Sequence, residues 1–425
     1  MGILVNLILG VIAVLLASLY QSNVHFVLYT GVRLYFGVGH TLEPLTAFPA
    51  YRCRRIEDER LQACEDMWLS EATRQLFLAC SDPKGRQQWS PKLSVTNHVA
   101  LKEANTKDGA VLSGAIFNAS GRSLTDHIAV LNIDEPEGVD GAGFRTRVLG
   151  TPGYPGTHGD GTLNLVGMSG HDGDSADGGE VRLWLIDAKP SVDLATGRVF
   201  EDQTAAGGNQ TVEVFRAIGG RQATALEHLE SFWDPLIMTP NRIAAVGDET
   251  NAFWVTNDLG HSQSRWKRNL SPFFSQGSVA HCSSKSKNDN SQTSCHAAIP
   301  SGLSWPNGLV HNRHDGLLYV PSSMLGKVDI YAPTTAQNGS PLLPMKKVDT
   351  VDVGYAIDNL MVDKHGDVWA AVFPVAKKLG AAGGTRLRRC WRMGWGEVLP
   401  MATSVVHDAT TGRVISPFIA VCDKV

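Results

Sequence analysis

A short unit recurs along most of the chain, and it constrains the fold more than any other feature. In each copy a polar turn containing Gly or Asp precedes a short apolar strand that ends in small or polar residues. Clear copies lie at 71–82, 247–258, 313–323 and 364–374, and poorer copies lie at 178–188 and 410–422. Their strands are rich in Phe, Trp, Tyr, Leu and Val, which favour β-structure. Radial repetition of small sheets is one way in which all-β chains avoid exposed edges, so this pattern predicts a β-propeller.

The spacing of the unit suits six blades. Six equal parts of the chain after Cys53 hold roughly 60 residues each, enough for a small sheet with its loops. The 43 Gly and 20 Pro also suit a chain of strands and turns. We therefore expect residues 49–425 to form an all-β, six-bladed β-propeller. A β-sandwich with similar turns is the alternative.

The beginning of the chain has a different character. Residues 3–20 carry no charge, and the first charged side chain is that of Arg33. This run reaches the lower limit for a membrane-spanning helix, and it also suits a long signal-peptide core without the usual basic start. We expect a hydrophobic signal or anchor helix at 1–20, followed by a linker or amphipathic segment at 21–48. A buried globular helix is the alternative. Either main interpretation places the propeller in the secretory pathway, secreted or anchored on the lumenal or extracellular side.

Sequons agree with a secretory location, and the charge balance excludes one class of partner. The N-x-S/T sequons, which predict glycosylation, lie at Asn118, Asn209, Asn269 and Asn338. The net charge of -4 indicates no basic surface for nucleic acid. The N-terminal segment is expected to contact a membrane or lipid.

Seven cysteines leave one unpaired in an oxidising compartment. Cys282 and Cys295 bracket a polar loop that a disulfide would close. Cys64 and Cys80 flank a predicted hairpin with its turn near Ala72. The other three are Cys53 and Cys422, whose pairing would close a circular fold, and Cys390. Sequence spacing alone leaves this connectivity open.

Acid and amide side chains recur where predicted strands begin or end. They are the doublets Glu65-Asp66, Asn257-Asp258 and Asp358-Asn359, and the single Asn307. In a propeller the innermost strands follow the central axis, so such residues can converge on one tunnel. Their oxygens are ligands that calcium prefers, whereas His and Cys at zinc spacing are not found. Capping of turns is the alternative for each doublet taken alone, but four such positions at blade-like intervals favour a calcium site.

These residues lie in stretches that resemble the serum paraoxonase/arylesterase family. The stretches are, in order, ACEDMWL, PNRIAAVGDETNAFWVTND, WPNGLVHNRHDGLLYV, IDNLMVDKHGDVWA and AVCDKV. Members of that family are calcium-dependent six-bladed propellers that hydrolyse lactones and aryl esters. The resemblance also implies a retained hydrophobic N-terminus and a disulfide between Cys53 and Cys422.

The resemblance implies two calcium ions. A catalytic ion would be held by Glu65, Asn257, Asn307, Asp358 and Asn359. A structural ion would be held by Asp66, Asp258 and the backbone carbonyl of Met168. In the family reaction the catalytic ion polarises the substrate carbonyl and a base helps water to attack.

The chain departs from the family at the histidines that assist proton transfer. Val166 stands at the first position, Asp187 and Ala188 stand near the second, and Phe373 stands at a further one. The candidate catalytic residues are therefore Asp358 as base or nucleophile, Asn257, and His171 if it swings in from its loop.

We expect a calcium-dependent carboxylic-ester hydrolase, arylesterase-like or lactonase-like, acting on a hydrophobic lactone or aryl or alkyl ester. The apolar side chains of Trp305, Trp369 and Phe373 favour such a substrate. One alternative is a member without the dyad that acts as a Lewis-acid isomerase, cyclase or synthase. The other is a non-catalytic, calcium-stabilised binding propeller.

Overall fold

The computed structural model describes residues 2–21, 24–40, 47–89, 118–137, 143–156, 159–173, 180–200, 203, 208–247, 250–259, 275–284, 293–335, 341–373, 403–416 and 420–424. The described residues include three α-helices. They are α1 (Gly2–Gln21), α2 (Val24–Phe36) and α3 (Pro83–Gln88). Single 3₁₀ turns lie at Glu59–Leu61, Ala119–Gly121, Gly220–Gln222 and Ser323–Leu325.

The strands form small antiparallel sheets in chain order. Sheet 1 contains β2 (Asp66–Ser70), β3 (Gln75–Cys80), β4 (His127–Glu137) and β5 (Gly143–Leu149). Sheet 2 contains β6 (Leu165–Asp172), β7 (Val181–Pro190), β8 (Gly208–Ile218) and β9 (Ala225–Phe232). Sheet 3 contains β10 (Pro240–Ala245), β11 (Phe253–Asn257), β12 (Gly277–Ser284) and β13 (Thr293–Leu303).

The remaining sheets complete the series. Sheet 4 contains β14 (Val310–Asn312), β15 (Leu317–Ser322), β16 (Lys327–Thr335) and β17 (Pro341–Asp352). Sheet 5 contains β18 (Ala356–Val362) and β19 (Val368–Phe373). Sheet 6 contains β20 (Val406–Asp408), β21 (Arg413–Ser416), β22 (Ala420–Lys424) and, at its edge, β1 (Tyr51–Arg55).

The recurring sequence unit is the hairpin that joins the first and second strands of a sheet. Its apolar strand is the second strand of a different sheet in every copy: β3, β7, β11, β15, β19 and β21. Successive side chains of these strands enter opposite interfaces, as the two-residue period of a strand requires. Leu76 and Leu78 pack between sheets 6 and 1, whereas Phe77 packs between sheets 1 and 2. Both faces are buried, which explains why these strands are continuously apolar.

The core consists of layers between neighbouring sheets rather than one central mass. Leu183 and Leu185 face sheet 1, and Trp184 and Ile186 face sheet 3. Trp254 continues the pattern between sheets 3 and 4. This arrangement confirms an all-β, propeller-like fold. Five sheets have four strands, and sheet 5 has two within the described residues, so the count of six blades stays a prediction.

The first strand closes the ring against the last. β1 pairs with β22 in a register that places Cys53 opposite Cys422, and these two form a disulfide. The pairs Cys64–Cys80 and Cys282–Cys295 are also formed, so all three pairings expected from the sequence are confirmed. Three disulfides indicate an oxidising, extracellular or secretory environment. Cys390 lies outside the described residues.

The N-terminal segment contains two helices, so part of the predicted linker at 21–48 is helical. Leu34 of α2 packs on Ala356 and Phe373 of sheet 5. No described helix has the combined length and apolar character needed to cross a membrane, and the anchor stays a prediction. Of the sequons, Asn118 and Asn209 lie in described loops or strand ends, whereas Asn269 and Asn338 lie outside the described residues.

Candidate active site

The first strands of all six sheets surround one axial cavity. Its volume is about 260 Å³, and its lining includes Met67, Ser169, Arg242, His311, Val362 and Val406, one residue from each first strand. These strands therefore occupy the position that the sequence predicted for the innermost strands. The predicted ligands lie at or near the starts of three of them, β2, β14 and β18, and at the end of β11.

Hydrogen bonds join the starts of these strands to one another on one side of the ring. The Met168 amide of β6 donates to Asp66 Oδ2 of β2 at 2.8 Å. The Ser404 hydroxyl, just before β20, donates to Asp66 Oδ1 at 3.3 Å. The Thr403 hydroxyl donates to the Glu65 carbonyl at 2.8 Å. Sheets 1, 2 and 6 are thus linked at the first pair of predicted ligands.

A second set of bonds continues around the ring. The Thr256 hydroxyl of β11 donates to the Asn307 carbonyl at 2.8 Å. The Gly308 amide donates to the Asp358 carbonyl, and the Asn359 amide donates to the Thr403 carbonyl, each at 3.0 Å. These hydrogen bonds therefore link the segments that carry the predicted ligands in a series that runs from sheet 2 through sheets 1, 6, 5 and 4 to sheet 3.

Bulges in three of the inner strands determine which side chains reach the axis. The pairing register shifts between Leu165 and Met168 in β6, between Pro240 and Ile243 in β10, and between Ile357 and Leu360 in β18. A bulge sets two residues against one and redirects a side chain. The β18 bulge consists of Asp358 and Asn359, the two neighbours that the sequence predicted as ligands of one ion.

Two glycines allow the inner strands to approach at this level. A Cβ on Gly167 would lie 2.2 Å from the Asn241 carbonyl oxygen, and one on Gly308 would lie 2.6 Å from the Asp358 carbonyl oxygen. Backbone atoms fill these positions, so a side chain at either glycine would force the strands apart. Sequence reasoning did not single out either glycine, although Gly308 directly follows Asn307.

The predicted catalytic-ion ligands divide into two groups. The Oδ1 atoms of Asn307 and Asn359 are buried and have no hydrogen-bond partner among the described atoms, as a cation ligand requires. Asp358 lies buried beside them. Asn257 Oδ1 instead accepts the amides of residues 238 and 239 at 2.9 and 3.0 Å. The Glu65 carboxylate forms an ion pair with Arg86.

The main carboxylate predicted for the structural ion, that of Asp66, is already engaged by groups of this chain. Asp66 is fully buried, and its carboxylate contacts the guanidinium of Arg242 in addition to its hydrogen bonds. Asp258 Oδ2 accepts the side-chain amide of Asn241 at 3.0 Å. Met168 contacts Asp66 through its backbone amide, whereas the sequence predicted its backbone carbonyl as the ligand. Within the described part of the chain, no three His, Cys, Asp or Glu side chains are grouped as a metal site.

Sequence reasoning did not identify two arginines of this region, the buried Arg242 and the partly buried Arg86. Burial lowers the pKa of Arg86. Burial also lowers the pKa of Arg242 to about 9, although the negative charge of Asp358 opposes this shift. Arg242 therefore stays charged at neutral pH. Arg86 also donates to the Leu165 carbonyl at 2.8 Å. The sequence signal for Arg242 was a charged residue within the otherwise apolar run that opens β10.

The positions where the family has histidines are apolar or otherwise engaged. Val166 and Phe373 are buried, the latter against α2. Asp187 accepts the Tyr154 hydroxyl and the Asn164 amide, both at 2.7 Å, and burial raises its pKa to about 7.

His171 does not join the candidate ligands. It follows Val166 by five residues in β6, which corresponds to about 16 Å along the strand, and it lies toward the opposite end of the ring beside Gly247. Trp369 also lies at that end, where it donates to Asp363 and stacks on His407. Trp305 lies two residues before Asn307.

The sheets, their closure and the inner cavity define an all-β, propeller-like protein with a buried polar group at one end of its axis. Residues 204–383 match the family model described as arylesterase, so the resemblance to that family is confirmed over this part of the chain. The matched range includes Asn257, Asp258, Asn307, Asp358 and Asn359.

Solved structures and curated sequences add little to this. A luciferin-regenerating enzyme is similar at 12% identity and a TM-score of 0.36, over 76% of this chain and 73% of that one. A periplasmic gluconolactonase of Pseudomonas aeruginosa is similar at 12% identity and a TM-score of 0.28, over 68% of this chain and 85% of that one. No curated protein sequence matches the chain.

Proposed function

We propose that this protein hydrolyses lactones or aryl or alkyl esters at the end of the axis where Asn307, Asp358 and Asn359 meet. The observation that carries the proposal is the pair of buried amide oxygens that have no hydrogen-bond partner among the described atoms. They lie in the segment that matches the arylesterase family, which also contains the buried Asp358. Buried polar atoms are rarely left unsatisfied without a functional reason. We also propose that sheet 5 is the sixth blade, since its first strand joins the inner ring.

Asn307, Asp358 and Asn359 would hold a calcium ion there. Such an ion, when bound, polarises a carbonyl and stabilises the oxyanion. Glu65 and Asn257 would complete the shell only after exchanging their present partners, Arg86 and the amides of residues 238 and 239.

The chain's own residues define the rest of the site. Asp358 is the carboxylate placed to accept a proton from the attacking water. Val166 and Phe373 supply apolar surface at two positions where the family has histidines, which favours a hydrophobic substrate and excludes water that does not react. The ester or lactone is expected to bind with its carbonyl toward Asn307 and Asn359.

The same apolar positions favour one competing function, a non-catalytic binding propeller. With Val166, Ala188 and Phe373 at the positions of the family's histidines, proton transfer depends on Asp358 alone. A pocket with this arrangement can retain ligand binding after losing turnover.

Hydrolysis of phenyl acetate and of a medium-chain lactone tests the proposal. Turnover that disappears with EGTA and returns with calcium supports it. Asp358→Asn should remove that turnover, whereas Asp352→Asn, at the exposed end of β17, is the matched control that should retain it. A melting temperature that depends on calcium without turnover of either substrate would favour the binding propeller instead.

A further inference from the structure

The position predicted for a structural ion has no free ligand at its main carboxylate. Asp66 Oδ1 accepts the amide of Met67 at 2.9 Å and the Ser404 hydroxyl at 3.3 Å. Its Oδ2 accepts the Met168 amide at 2.8 Å and contacts Arg242 Nη1. An ionised carboxylate offers about four lone-pair positions. All of them are used by groups of this chain, so Asp66 does not fit a metal ion.

Hydrogen bonds fix the backbone of Arg242 at this place, and its guanidinium contacts Asp66. The Arg242 side chain starts from the β10 bulge and is almost fully buried. Its amide donates to Thr256 Oγ1 at 3.1 Å, and the Thr256 hydroxyl donates to the Asn307 carbonyl at 2.8 Å. Asp358 also acts electrostatically on the guanidinium. Arg242 therefore lies between the Asp66 carboxylate and the group formed by Asn307, Asp358 and Asn359.

We propose that Arg242 is a built-in cation that replaces the structural metal ion. Its guanidinium neutralises Asp66 and ties the inner strands of sheets 1 and 3 together, while the Met168 amide adds sheet 2 to the same carboxylate. A guanidinium remains charged and is covalently attached, so this junction does not depend on a divalent ion. The chain consequently takes at most one divalent ion at this end of the axis. This inference does not rest on hydrolysis.

Calcium binding to variants of the full chain tests this replacement. In the background Asn307→Ala/Asp358→Asn, which disables the proposed catalytic-ion site, equilibrium dialysis should detect no bound calcium, and the melting temperature should be the same in calcium and in EGTA. Uptake of one ion by this background would overturn the inference, because it would show a second site that is open beside Arg242.

Reversal of the charge at position 242 is expected to create the calcium site that Arg242 blocks. In the same background, Arg242→Asp should gain one calcium ion per chain, and calcium at 100 times Kd should raise the melting temperature by about 3 °C. Arg242→Lys is the matched control that keeps a cation, and it should gain no ion. Absence of calcium uptake by Arg242→Asp would contradict the inference.

The unmodified chain decides the question if Arg242→Asp does not fold. A stoichiometry of two calcium ions per chain overturns the replacement. One ion supports both this inference and the proposed catalytic ion. No bound ion supports the replacement and contradicts the calcium part of the proposed function, so the two proposals fail separately.

Discussion

Removal of the ring-closing disulfide provides a quantitative test of the closed architecture. Cys53 and Cys422 are separated by 369 residues, whereas Cys282 and Cys295 are separated by 13. A disulfide restricts the unfolded chain more strongly as the loop it closes becomes longer. The chain-entropy relation gives about 6 kcal/mol for the long loop and about 3 kcal/mol for the short one.

The two pairs are well matched for comparison. Each joins opposite positions of neighbouring antiparallel strands, and each contains one fully buried and one partly buried cysteine. Replacing both cysteines of a pair by Ala therefore removes similar packing in the two variants. The difference between the variants should reflect loop length, and it should be about 3 kcal/mol in the free energy of unfolding.

Equilibrium unfolding in urea under non-reducing conditions measures this difference. We expect Cys53→Ala/Cys422→Ala to be the less stable variant, with β1 still paired to β22 in the folded state. Equal losses from the two pairs, or a larger loss from Cys282→Ala/Cys295→Ala, would refute the reasoning. Such a result would mean that the unfolded chain is already restricted, or that native packing determines the loss.

Two further predictions concern buried groups near the axis. The pKa of Asp187 in the folded state is about 7, above its ordinary value of 3.8, so between these pH values the folded state holds a proton that the unfolded state has released. The free energy of unfolding should therefore fall as pH rises from about 4 to 7. Asp187→Asn should remove up to about 4 kcal/mol of that fall, measured by urea unfolding across this pH range. Gly308→Ala should lower the free energy of unfolding by about 2 kcal/mol or more in the same assay, because its Cβ would lie 2.6 Å from the Asp358 carbonyl oxygen. Gly150→Ala is the control, because neither glycine has a left-handed φ and the Cβ added at Gly150 would lie 3.8 Å from the Thr224 carbonyl oxygen, an ordinary contact. An equal loss in both variants would contradict the close-approach explanation.

The sheet architecture could be predicted because its signal is local. Each apolar strand is preceded by the turn of its own hairpin, so residues 71–82 or 247–258 contain enough information to identify one unit. The hairpin turn near Ala72 made a pairing of Cys64 with Cys80 possible, although the sequence left the connectivity open, and the structure confirms this pair. The number of strands in sheet 5 could not be read in this way, because its apolar repeat identifies only β19.

The sequence indicated which segments carry candidate ligands but not how those side chains are bonded. Hydrogen bonds link the segments to one another, but whether an oxygen remains available depends on donors that are distant in the chain. Asn257 supports the backbone of residues 238 and 239, and Glu65 pairs with Arg86, whereas Asn307 and Asn359 keep unsatisfied oxygens. His171, which the sequence placed in a loop, lies in β6, and its catalytic role stays a prediction.

The charges of the predicted ligands and of the arginines that contact them favour binding of one divalent ion over binding of two at this end of the axis. The predicted ligands include four carboxylates, those of Glu65, Asp66, Asp258 and Asp358. Two of the four already contact guanidinium groups, from the partly buried Arg86 and the buried Arg242. Together the four carboxylates and these two guanidinium groups carry a formal net charge of -2, which one divalent cation would neutralise, whereas a second cation would leave an excess of positive charge. Uncompensated buried charge costs several kcal/mol. Arg86 and Arg242, which sequence reasoning did not identify, therefore limit the number of divalent ions that can bind at this end of the axis.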